Sequence, residues 1–430
     1  MLLVLIVVFV VLLAFGVPIA FSMGISAACF FNMAGFDFPT LAQRMVAGLN
    51  SFSTMAIPFF MLSGYIMGLG GVSKRILRFA NACIGYVKGG MAMTGVVACA
   101  LFGAVCGSAP ATAVAIGGIM GNDMVKRGYK QSFVGLIFGV SGCLGLLIPP
   151  SLIMVILGSN VGVSIGDMFL GGVVPGILLT ILLCIYCYFQ AKKHNYGQVK
   201  EAGELTSFSW KEFGRAALEA LLPMTTPVFI LGSISLGIAT ATEAAVISVV
   251  WSLFLSMVVY REIVPKDLLG IFTTGAVSSA SVTGVIAAAS TFSYSLAVMN
   301  VPSTLTSFFT ENVNSPLVFW IFTFFLIFAL GCVTESVCII TIFAPILYPI
   351  ALSFGINGLH YCIFLTMVLT IGAVTPPVGL SVIAGCRIVG TSIEKTFPEI
   401  IHCIIIMVIV TILIGVFPGI ATWLPSVMAA

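Results

Sequence analysis

The stretch that decides the fold is GSAPAT at residues 107–112, which interrupts a long apolar segment. Between Met91 and Met120 the chain has no charged residue. Glycine and proline are the poorest helix formers, and non-helical backbone at membrane depth is tolerated only where protein buries it or water lines it. GSAPAT therefore predicts a helix break that has a function within the bilayer.

The composition places the whole chain in a membrane. Of its 430 residues, 60% are hydrophobic and 7% are charged, whereas soluble proteins carry about 25% charged residues. The apolar runs are long and continuous, while barrel strands would alternate over about 10 residues. We therefore expect an all-α polytopic protein in the lipid bilayer. No basic run interleaved with aromatic residues indicates nucleic-acid binding.

Neither the N-terminus nor the cysteines indicate processing or redox chemistry. The chain begins MLLVLIVVFV with no basic region before it, so we expect a retained first span rather than a cleaved signal. Cys184 and Cys187 form a C-x-x-C motif, but no other metal ligands lie nearby. Buried cysteine usually behaves as a small hydrophobe, and we interpret this pair in that way.

Two segments are too short to cross the membrane twice. Segment 89–122 has 34 residues, where one span needs about 20 and two need about 40. Basic clusters flank both of its ends, and the positive-inside rule places both in the cytoplasm. Segment 316–353 is flanked by asparagines and lacks basic neighbours. We predict two re-entrant hairpins, the first entered from the cytoplasm and the second from outside.

The chain contains a weak internal repeat. LIPPSLIMVILGSNVGVSI (147–165) resembles AVTPPVGLSVIAGCRIVGTSI (373–393), so that the two Pro-Pro pairs align. GSAPAT aligns with the stretch around VTES (333–336), because Ser108 and Glu335 each precede their proline pair by 41 residues. The two units start from opposite sides, and inverted repeats with interrupted helices are typical of secondary transporters with sites near the membrane midplane.

The broken segments supply hard oxygen ligands and helix N-termini, which suit a small cation and a carboxylate respectively. Pro149 and Pro150 lack N–H groups, so the carbonyls around Gly145 and Leu146 should lose their partners. The alternative is that the hydroxyls merely satisfy local backbone groups. The side chains that carry this hypothesis are Ser108 and Thr112 in the first unit and Thr334, Glu335, Ser336 and Thr375 in the second.

Three charged residues need separate interpretations. An acid within a membrane is a functional candidate by default, and Glu335 lies at the second hairpin tip, which indicates a role linked to an ion. Glu243 lies near a span end, where a helix cap or a fold contact is the better interpretation. Arg387 follows the second proline pair; it either approaches an anionic solute or marks the cytoplasmic boundary, and the second reading is favoured.

Several stretches together resemble one family, the large membrane subunit of TRAP (tripartite ATP-independent periplasmic) transporters. The resemblance runs over nearly the whole chain. The stretches are GVPIAFSMG (16–24), IPFFMLSGYIM (57–67), GSAPATAVAIG (107–117), GVSGCLGLLIPPS (139–151), DMFLGGVVPGILL (167–179), ATATEAAV (239–246), FAPILYPIA (343–351) and IGAVTPPVGLSV (371–382).

The resemblance implies a multi-pass carrier of the bacterial inner membrane, not an enzyme, without a cofactor and driven by sodium. It implies a periplasmic binding protein that delivers a carboxylate such as sialic acid or a C4-dicarboxylate, and a small membrane subunit that we expect as a separate chain. It also implies an elevator mechanism. The expected units are 1–88 (scaffold spans and interfacial helix), 89–190 (first transport repeat, hairpin 89–122, unwound span 131–158), 191–300 (cytoplasmic loop and scaffold spans) and 301–430 (second transport repeat, hairpin 316–353, unwound span 359–386).

The resemblance further implies sodium beside each hairpin tip and its unwound partner helix. One departure is that Glu335 stands where aspartate is frequent in the family. The residues expected at sodium are Gly107, Ser108, Thr112, Gly145, Pro149, Val333, Thr334, Glu335, Thr375 and Pro376. Those expected at the solute are Ser108, Ala109, Pro110, Ser336 and Arg387.

Three alternatives differ from this reading. A self-sufficient sodium–dicarboxylate symporter of the same broad fold would need no binding protein. An intramembrane enzyme would need a nucleophile and a base at one depth, but His360 and His402 lie near span ends and no acid pair faces another. A channel is disfavoured by the paired hairpins, which indicate a gated, alternating site.

The re-entrant topology predicts that positions 89 and 122 lie on the same side of the membrane. Gly89→Cys and Asn122→Cys should both react with an impermeant maleimide only when it reaches the cytoplasmic face. Labelling in intact cells against inverted vesicles measures this. Reaction of the two cysteines from opposite faces would show a full crossing and exclude the first hairpin.

Overall fold

The computed structural model describes residues 1–196, 207–313 and 315–429. Within these ranges the chain is built from helices and contains no β-strand. Seven helices are long and apolar enough to cross a membrane, or eight if one bent pair counts as a span. The predicted all-α polytopic fold is therefore confirmed. Part of the predicted cytoplasmic loop, 197–206, and Asn314 beside the second hairpin lie outside the described residues.

The N-terminal part ends in a helix that turns away from the bundle. Gly71, at φ +76°, separates the fourth and fifth helices, which meet at 71°. The fifth helix carries Lys74, which pairs with Glu262 at 3.4 Å, and Arg78, which pairs with Glu219 at 3.0 Å. The helices of this part are α1 (Leu2–Ala14), α2 (Ile19–Met33), α3 (Phe38–Leu49), α4 (Ala56–Leu69) and α5 (Val72–Ile84).

The next part contains the quoted GSAPAT stretch and the first proline pair. Its helices are α6 (Gly90–Cys106), α7 (Ala109–Lys126), α8 (Gln131–Gly142), α9 (Leu144–Leu147), α10 (Leu152–Val161) and α11 (Ile165–His194). The gap between α6 and α7 falls within GSAPAT, and the two helices pack against each other. The broken segment Gln131–Val161 is the most enclosed of the candidate spans. In its most apolar 18-residue stretch 94% of the residues are buried, whereas the corresponding share for Glu399–Val416 is 33%.

The middle part packs on the N-terminal helices. It comprises α12 (Trp210–Ser235), α13 (Ala241–Phe254) with a π-helical turn at Leu255–Val259, a 3-10 turn at Pro265–Asp267, α14 (Leu268–Val298) and α15 (Val301–Asn312). Helix α4 contacts both α13 and α14. Small residues allow close approach there, and the Ser63 and Ser252 hydroxyls lie 2.8 Å apart. Polar bonds of this kind hold helices together where the surrounding lipid gives no hydrophobic drive.

The C-terminal part repeats the helix order of the GSAPAT part. Its helices are α16 (Pro316–Gly331), α17 (Ser336–Ser353), α18 (Gly358–Gly372), α19 (Leu380–Ile388), a 3-10 turn at Ile393–Thr396, α20 (Glu399–Val416) and α21 (Gly419–Ala429). A shift of 227 residues carries Pro149 onto Pro376 and carries both ends of α7 onto the ends of α17. Helices α6–α10 and α16–α19 thus form two structural repeats, each a pair of helices followed by a broken helix.

The two repeats interlock through glycines. Helix α19 packs against α7 and α8, and α10 packs against α17. A Cβ on Gly139 would lie 2.5 Å from the Val382 Cα, so the two backbones nearly touch. The Ser381 hydroxyl donates a hydrogen bond of 2.6 Å to the Gly139 carbonyl. Each repeat therefore contributes a half-helix to the other, and the two form one packed unit.

We expect Gly139→Ala to destabilise the protein, because the added methyl group would push α8 away from α19. Overpacking of this kind costs about 1–3 kcal/mol, which should lower the melting temperature in detergent by about 2 °C or more. Gly118→Ala is the matched control, because no atom lies within 4 Å of a Cβ placed there. Equal melting temperatures for the two variants would contradict the close crossing.

Candidate ion and solute site

The first helix break, here called tip 1 (residues 107–112), is a sharp reversal between α6 and α7. Gly107 has φ +67°, a conformation that favours glycine. Ser108 is extended and precedes α7, and its hydroxyl makes no capping bond to the helix. Pro110 lies in the first turn of α7, where a missing N–H leaves no helical bond unmade. The first N–H groups of α7 therefore receive no hydrogen bond from the Ser108 side chain.

Tip 1 lies directly against the broken helix of its own repeat. A Cβ on Gly107 would lie 2.6 Å from the Pro150 carbonyl oxygen. A Cβ on Gly145 would lie 3.1 Å from the Thr112 hydroxyl oxygen and 3.4 Å from the Ser108 carbonyl oxygen. The structure therefore brings together Gly107, Ser108, Thr112, Gly145 and the proline pair, which we call site 1.

Site 1 contains polar atoms without partners. The Thr112 side chain is fully buried, and among the described residues its hydroxyl oxygen has no hydrogen-bond partner. The Cys106 thiol lies beside it without forming a hydrogen bond to it. Pro149 has no N–H to donate to the Gly145 carbonyl, and no other backbone donor in the described chain reaches that carbonyl.

The prediction that the Leu146 carbonyl is also free is wrong. It accepts a hydrogen bond of 2.5 Å from the hydroxyl of Ser151, which follows the proline pair and begins α10. The serine replaces the N–H that Pro150 lacks. One of the two carbonyls predicted to lose their partners is therefore satisfied within the chain, and Gly145 is the one that remains.

The donor set of site 1 fits a hard cation. It consists of a hydroxyl and backbone carbonyl oxygens, which are the ligands that alkali and alkaline-earth ions prefer. In the part of the chain that the structure describes, no three His, Cys, Asp or Glu residues cluster to hold a metal ion. An orphaned buried hydroxyl costs free energy unless something pairs with it, and a cation would supply that partner.

The second break, tip 2 (residues 332–335), is more open than tip 1. Val333 is 60% exposed. Glu335, an exposed residue, precedes α17, and its carboxylate makes no capping bond to that helix. Across the ranges that the structure covers, no hydrogen bond or ion pair to this carboxylate is found. The Thr334 hydroxyl donates to the Leu330 carbonyl at 3.0 Å.

Tip 2 also contacts its own broken helix, and we call this contact site 2. A Cβ on Gly372 would lie 2.6 Å from the Gly331 Cα. The Val378 N–H donates to the Cys332 carbonyl at 3.2 Å, and the Thr375 hydroxyl donates to the Ile371 carbonyl at 2.8 Å. Thr375 and Pro376 thus lie beside tip 2. The hydroxyls of Thr334 and Thr375 do satisfy local carbonyls, but their oxygens keep lone pairs for a cation.

The residues expected at the solute do not lie together in the structure. Ala109 is buried, with its carbonyl against Gly142, and Pro110 beside it is exposed. Ser336 is buried at the first turn of α17. Arg387 is exposed near the end of α19, and its neighbour Ile388 packs on Gly117 and Gly121 of α7. At 1.5 Å per residue, those glycines lie roughly 13–20 Å along α7 from Ser108, so the structure places Arg387 away from tip 1.

Sequence reasoning missed Ser151 and Ser381. Ser151 satisfies the carbonyl left by the first proline pair, and Ser381 joins the two repeats. The Ala373 carbonyl, one turn before Pro377, likewise accepts the Ser381 N–H at 3.3 Å. A signal was present for Ser151, since a hydroxyl directly after a proline pair is a local substitute donor. No sequence signal locates the contact of Ser381 with α8.

The other titratable residues have structural surroundings. His360 is buried, with its Nε2 atom 2.6 Å from the Ile414 carbonyl oxygen. His402 stacks on Tyr186 at 6.2 Å between ring centroids. Cys184 and Cys187 are unpaired thiols on α11. These contacts account for each of the four side chains within the fold.

The sequence matches, over residues 6–420, the family described as "Tripartite ATP-independent periplasmic transporter, DctM component". The chain belongs to the DctM family of TRAP transporters. It is therefore a transporter permease rather than an enzyme, and a multi-pass protein of the bacterial inner membrane. The family implies a small membrane subunit and a periplasmic binding protein as partners.

Relatives within the TRAP family differ in the solute that their names carry. The C4-dicarboxylate TRAP transporter large permease protein DctM of Pseudomonas aeruginosa is 35% identical, over 90% of this chain and 89% of its own length. The isethionate TRAP transporter permease protein DctMQ of Oleidesulfovibrio alaskensis is 34% identical, over 96% and 64%. The sialic acid TRAP transporter large permease protein SiaM of Vibrio cholerae is 31% identical, over 96% of both chains.

A solved structure shares the fold. The YdaH transporter of Alcanivorax borkumensis, described as having an unusual topology, superposes with a TM-score of 0.54. The match covers 88% of this chain and 89% of that one at 14% identity. The similarity supports the architecture of helices and broken spans and carries no information about the solute.

Glu243 caps α13, which confirms the interpretation of this acid as a helix cap. Its carboxylate accepts hydrogen bonds of 2.8 Å from both the N–H and the hydroxyl of Thr240, which completes a capping box.

We expect Glu243→Ala to lower the melting temperature, because two polar groups lose their partner. Glu243→Gln, which still accepts both bonds, is the control. A change of sodium dependence in Glu243→Gln would indicate a functional carboxylate instead.

Proposed function

We propose that the chain is the large permease of a TRAP transporter that imports an organic acid with sodium as the coupling ion. The solute would be delivered by a periplasmic binding protein, and the small membrane subunit would complete the complex. The observation that carries the proposal is the buried, unpartnered Thr112 hydroxyl beside the Gly145 carbonyl at a break in two helices.

Sodium is favoured over other ions by the chemistry of site 1. Its oxygens come from a hydroxyl and from backbone carbonyls, with no carboxylate among them, so the site suits a monovalent cation. Site 2 supplies an exposed carboxylate from Glu335 with the hydroxyl oxygens of Thr334 and Thr375. Each repeat would therefore hold one ion between its hairpin tip and its broken helix.

The solute is proposed to bind at the helix N-termini of the two tips. The first turns of α7 and α17 carry partial positive charge, which favours an anion. Ser108 and Ser336 would add hydroxyl donors at the two tips. C4-dicarboxylates and sialic acid carry carboxylates and isethionate carries a sulfonate, so an organic anion is common to the relatives' solutes. Arg387 is not needed in this arrangement.

The packing favours an elevator movement. The two repeats interlock through α7, α8, α10, α17 and α19, so both tips belong to one unit. Helix α4 meets this unit where a Cβ on Gly64 would lie 2.8 Å from the Cys106 Cα. Because Gly64 has no side chain, nothing on α4 interlocks with α6 at this contact. The two repeats could therefore move together relative to α4 while both sites stay intact.

We expect sodium, but not potassium, to raise the melting temperature of the purified protein, and Thr112→Val to remove the part of that rise that comes from site 1. A ligand at 100 times its Kd stabilises by about 2.7 kcal/mol. Thr112→Val keeps the shape of the side chain and removes the hydroxyl, while Thr112→Ser keeps the hydroxyl and should retain the sodium effect. Glu335→Gln, which removes a ligand of site 2, should also weaken it, and Glu311→Gln, an exposed acid on α15, should not. Ser108→Ala should instead weaken uptake of the solute.

The same variants are then compared in proteoliposomes that contain both membrane subunits. Labelled succinate, sialic acid and isethionate are the probes, each with and without its binding protein. Uptake that requires sodium and the binding protein supports the proposal. Uptake of free solute without a binding protein would show a self-sufficient symporter. An unchanged sodium response in Thr112→Val and Glu335→Gln would refute sites 1 and 2.

A further inference from the structure

An apolar groove lies between α6 and α11, away from both tips. Its volume is about 560 Å³. The lining side chains are Ile84, Met93, Val97, Thr180, Ile181, Cys184, Ile185, Tyr188 and Phe189. The Thr180 hydroxyl already donates to the Gly176 carbonyl at 2.7 Å, and the Cys184 thiol lies 4.0 Å from the Met93 carbonyl oxygen. A polar occupant would find almost no partners there, so the groove suits hydrocarbon.

The groove runs along the outer face of α11. Ile181 is 51% exposed and Phe189 is 61% exposed, so the lining faces the surroundings of the protein rather than its core. From Thr180 to Phe189 the groove follows α11 for roughly 14 Å, about half of the 30 Å hydrocarbon thickness. This length corresponds to a chain that lies within one leaflet.

Three lysine residues lie at one end of the groove. The lining residues Tyr188 and Phe189 are followed one turn later, on the same face of α11, by Lys192 and Lys193. A Cβ on Gly89 would lie 2.5 Å from the Ala191 Cβ, so Lys88 stands beside the same helix end. All three lysines are exposed, and none forms an ion pair with an acid in residues 1–196, 207–313 or 315–429.

We propose that this groove binds one acyl chain of an anionic phospholipid, with the phosphate held by Lys88, Lys192 and Lys193. Basic clusters at the cytoplasmic ends of membrane helices recognise anionic head groups, and the positive-inside rule assigns these lysines to that side. Each methylene of a lipid chain that is buried in the groove adds to the binding. The lipid would touch α6, the helix that ends at tip 1, and would thereby brace that helix against α11.

The test measures which lipid stays on the protein. The purified chain is exchanged into detergent with equal amounts of phosphatidylglycerol and phosphatidylcholine, washed, and analysed by native mass spectrometry. We expect phosphatidylglycerol to be retained preferentially. Lys88→Gln/Lys192→Gln/Lys193→Gln should reduce this preference at least about tenfold, since each lysine near an anionic surface contributes on the order of 1 kcal/mol.

Two further variants separate the groove from general charge. Lys211→Gln/Lys266→Gln/Lys395→Gln removes three exposed lysines that lie elsewhere in the chain and should leave the preference unchanged. Cys184→Phe fills the groove and should reduce retention of both lipids, with size-exclusion elution showing that the protein is still folded. The proposal is overturned if the wild-type chain retains neither lipid, or if both lysine triples change the preference equally.

Discussion

The structure depends on satisfying backbone polar groups where no water is available. In hydrocarbon each unpaired N–H or C=O costs several kcal/mol, yet the chain places two proline pairs within predicted spans. The carbonyl of Leu146 is satisfied by the Ser151 hydroxyl and that of Ala373 by the Ser381 N–H. The first broken segment is also the most buried candidate span. The helix breaks are therefore stable because the two interlocked repeats surround them and satisfy their polar groups.

Glycine pairs set the position of each break. Gly103 meets Gly145 in the first repeat and Gly331 meets Gly372 in the second, with backbone atoms so close that a Cβ would overlap. No side chain separates the hairpin helix from the broken helix at these points, so each tip lies beside its own break. Close backbone approach of this kind gives van der Waals contact and leaves the polar atoms facing one another. The geometry of sites 1 and 2 follows from these contacts.

Local signals in the sequence were sufficient to locate the breaks, whereas contacts between distant segments were not. Glycine, proline and hydroxyl residues inside apolar runs mark tips 1 and 2, and the 41-residue spacing revealed the repeat that the helix bounds now show. The free Leu146 carbonyl was predicted wrongly because a serine five residues later folds back to it. The distance of Arg387 from tip 1 and the bond from Ser381 to Gly139 depend on how α19 crosses α7 and α8, and no pattern within one segment reports that crossing.

The two sites differ in a way that matters for the proposed cycle. Site 1 is enclosed and has only dipolar oxygens, so an ion there would exchange its hydration shell for fixed carbonyl and hydroxyl groups. Site 2 is more open, with Val333 60% exposed, and Glu335 adds a carboxylate to its oxygen ligands. In the proposed cycle an ion would therefore reach site 2 more readily than site 1, where tip 1 packs directly against the broken helix.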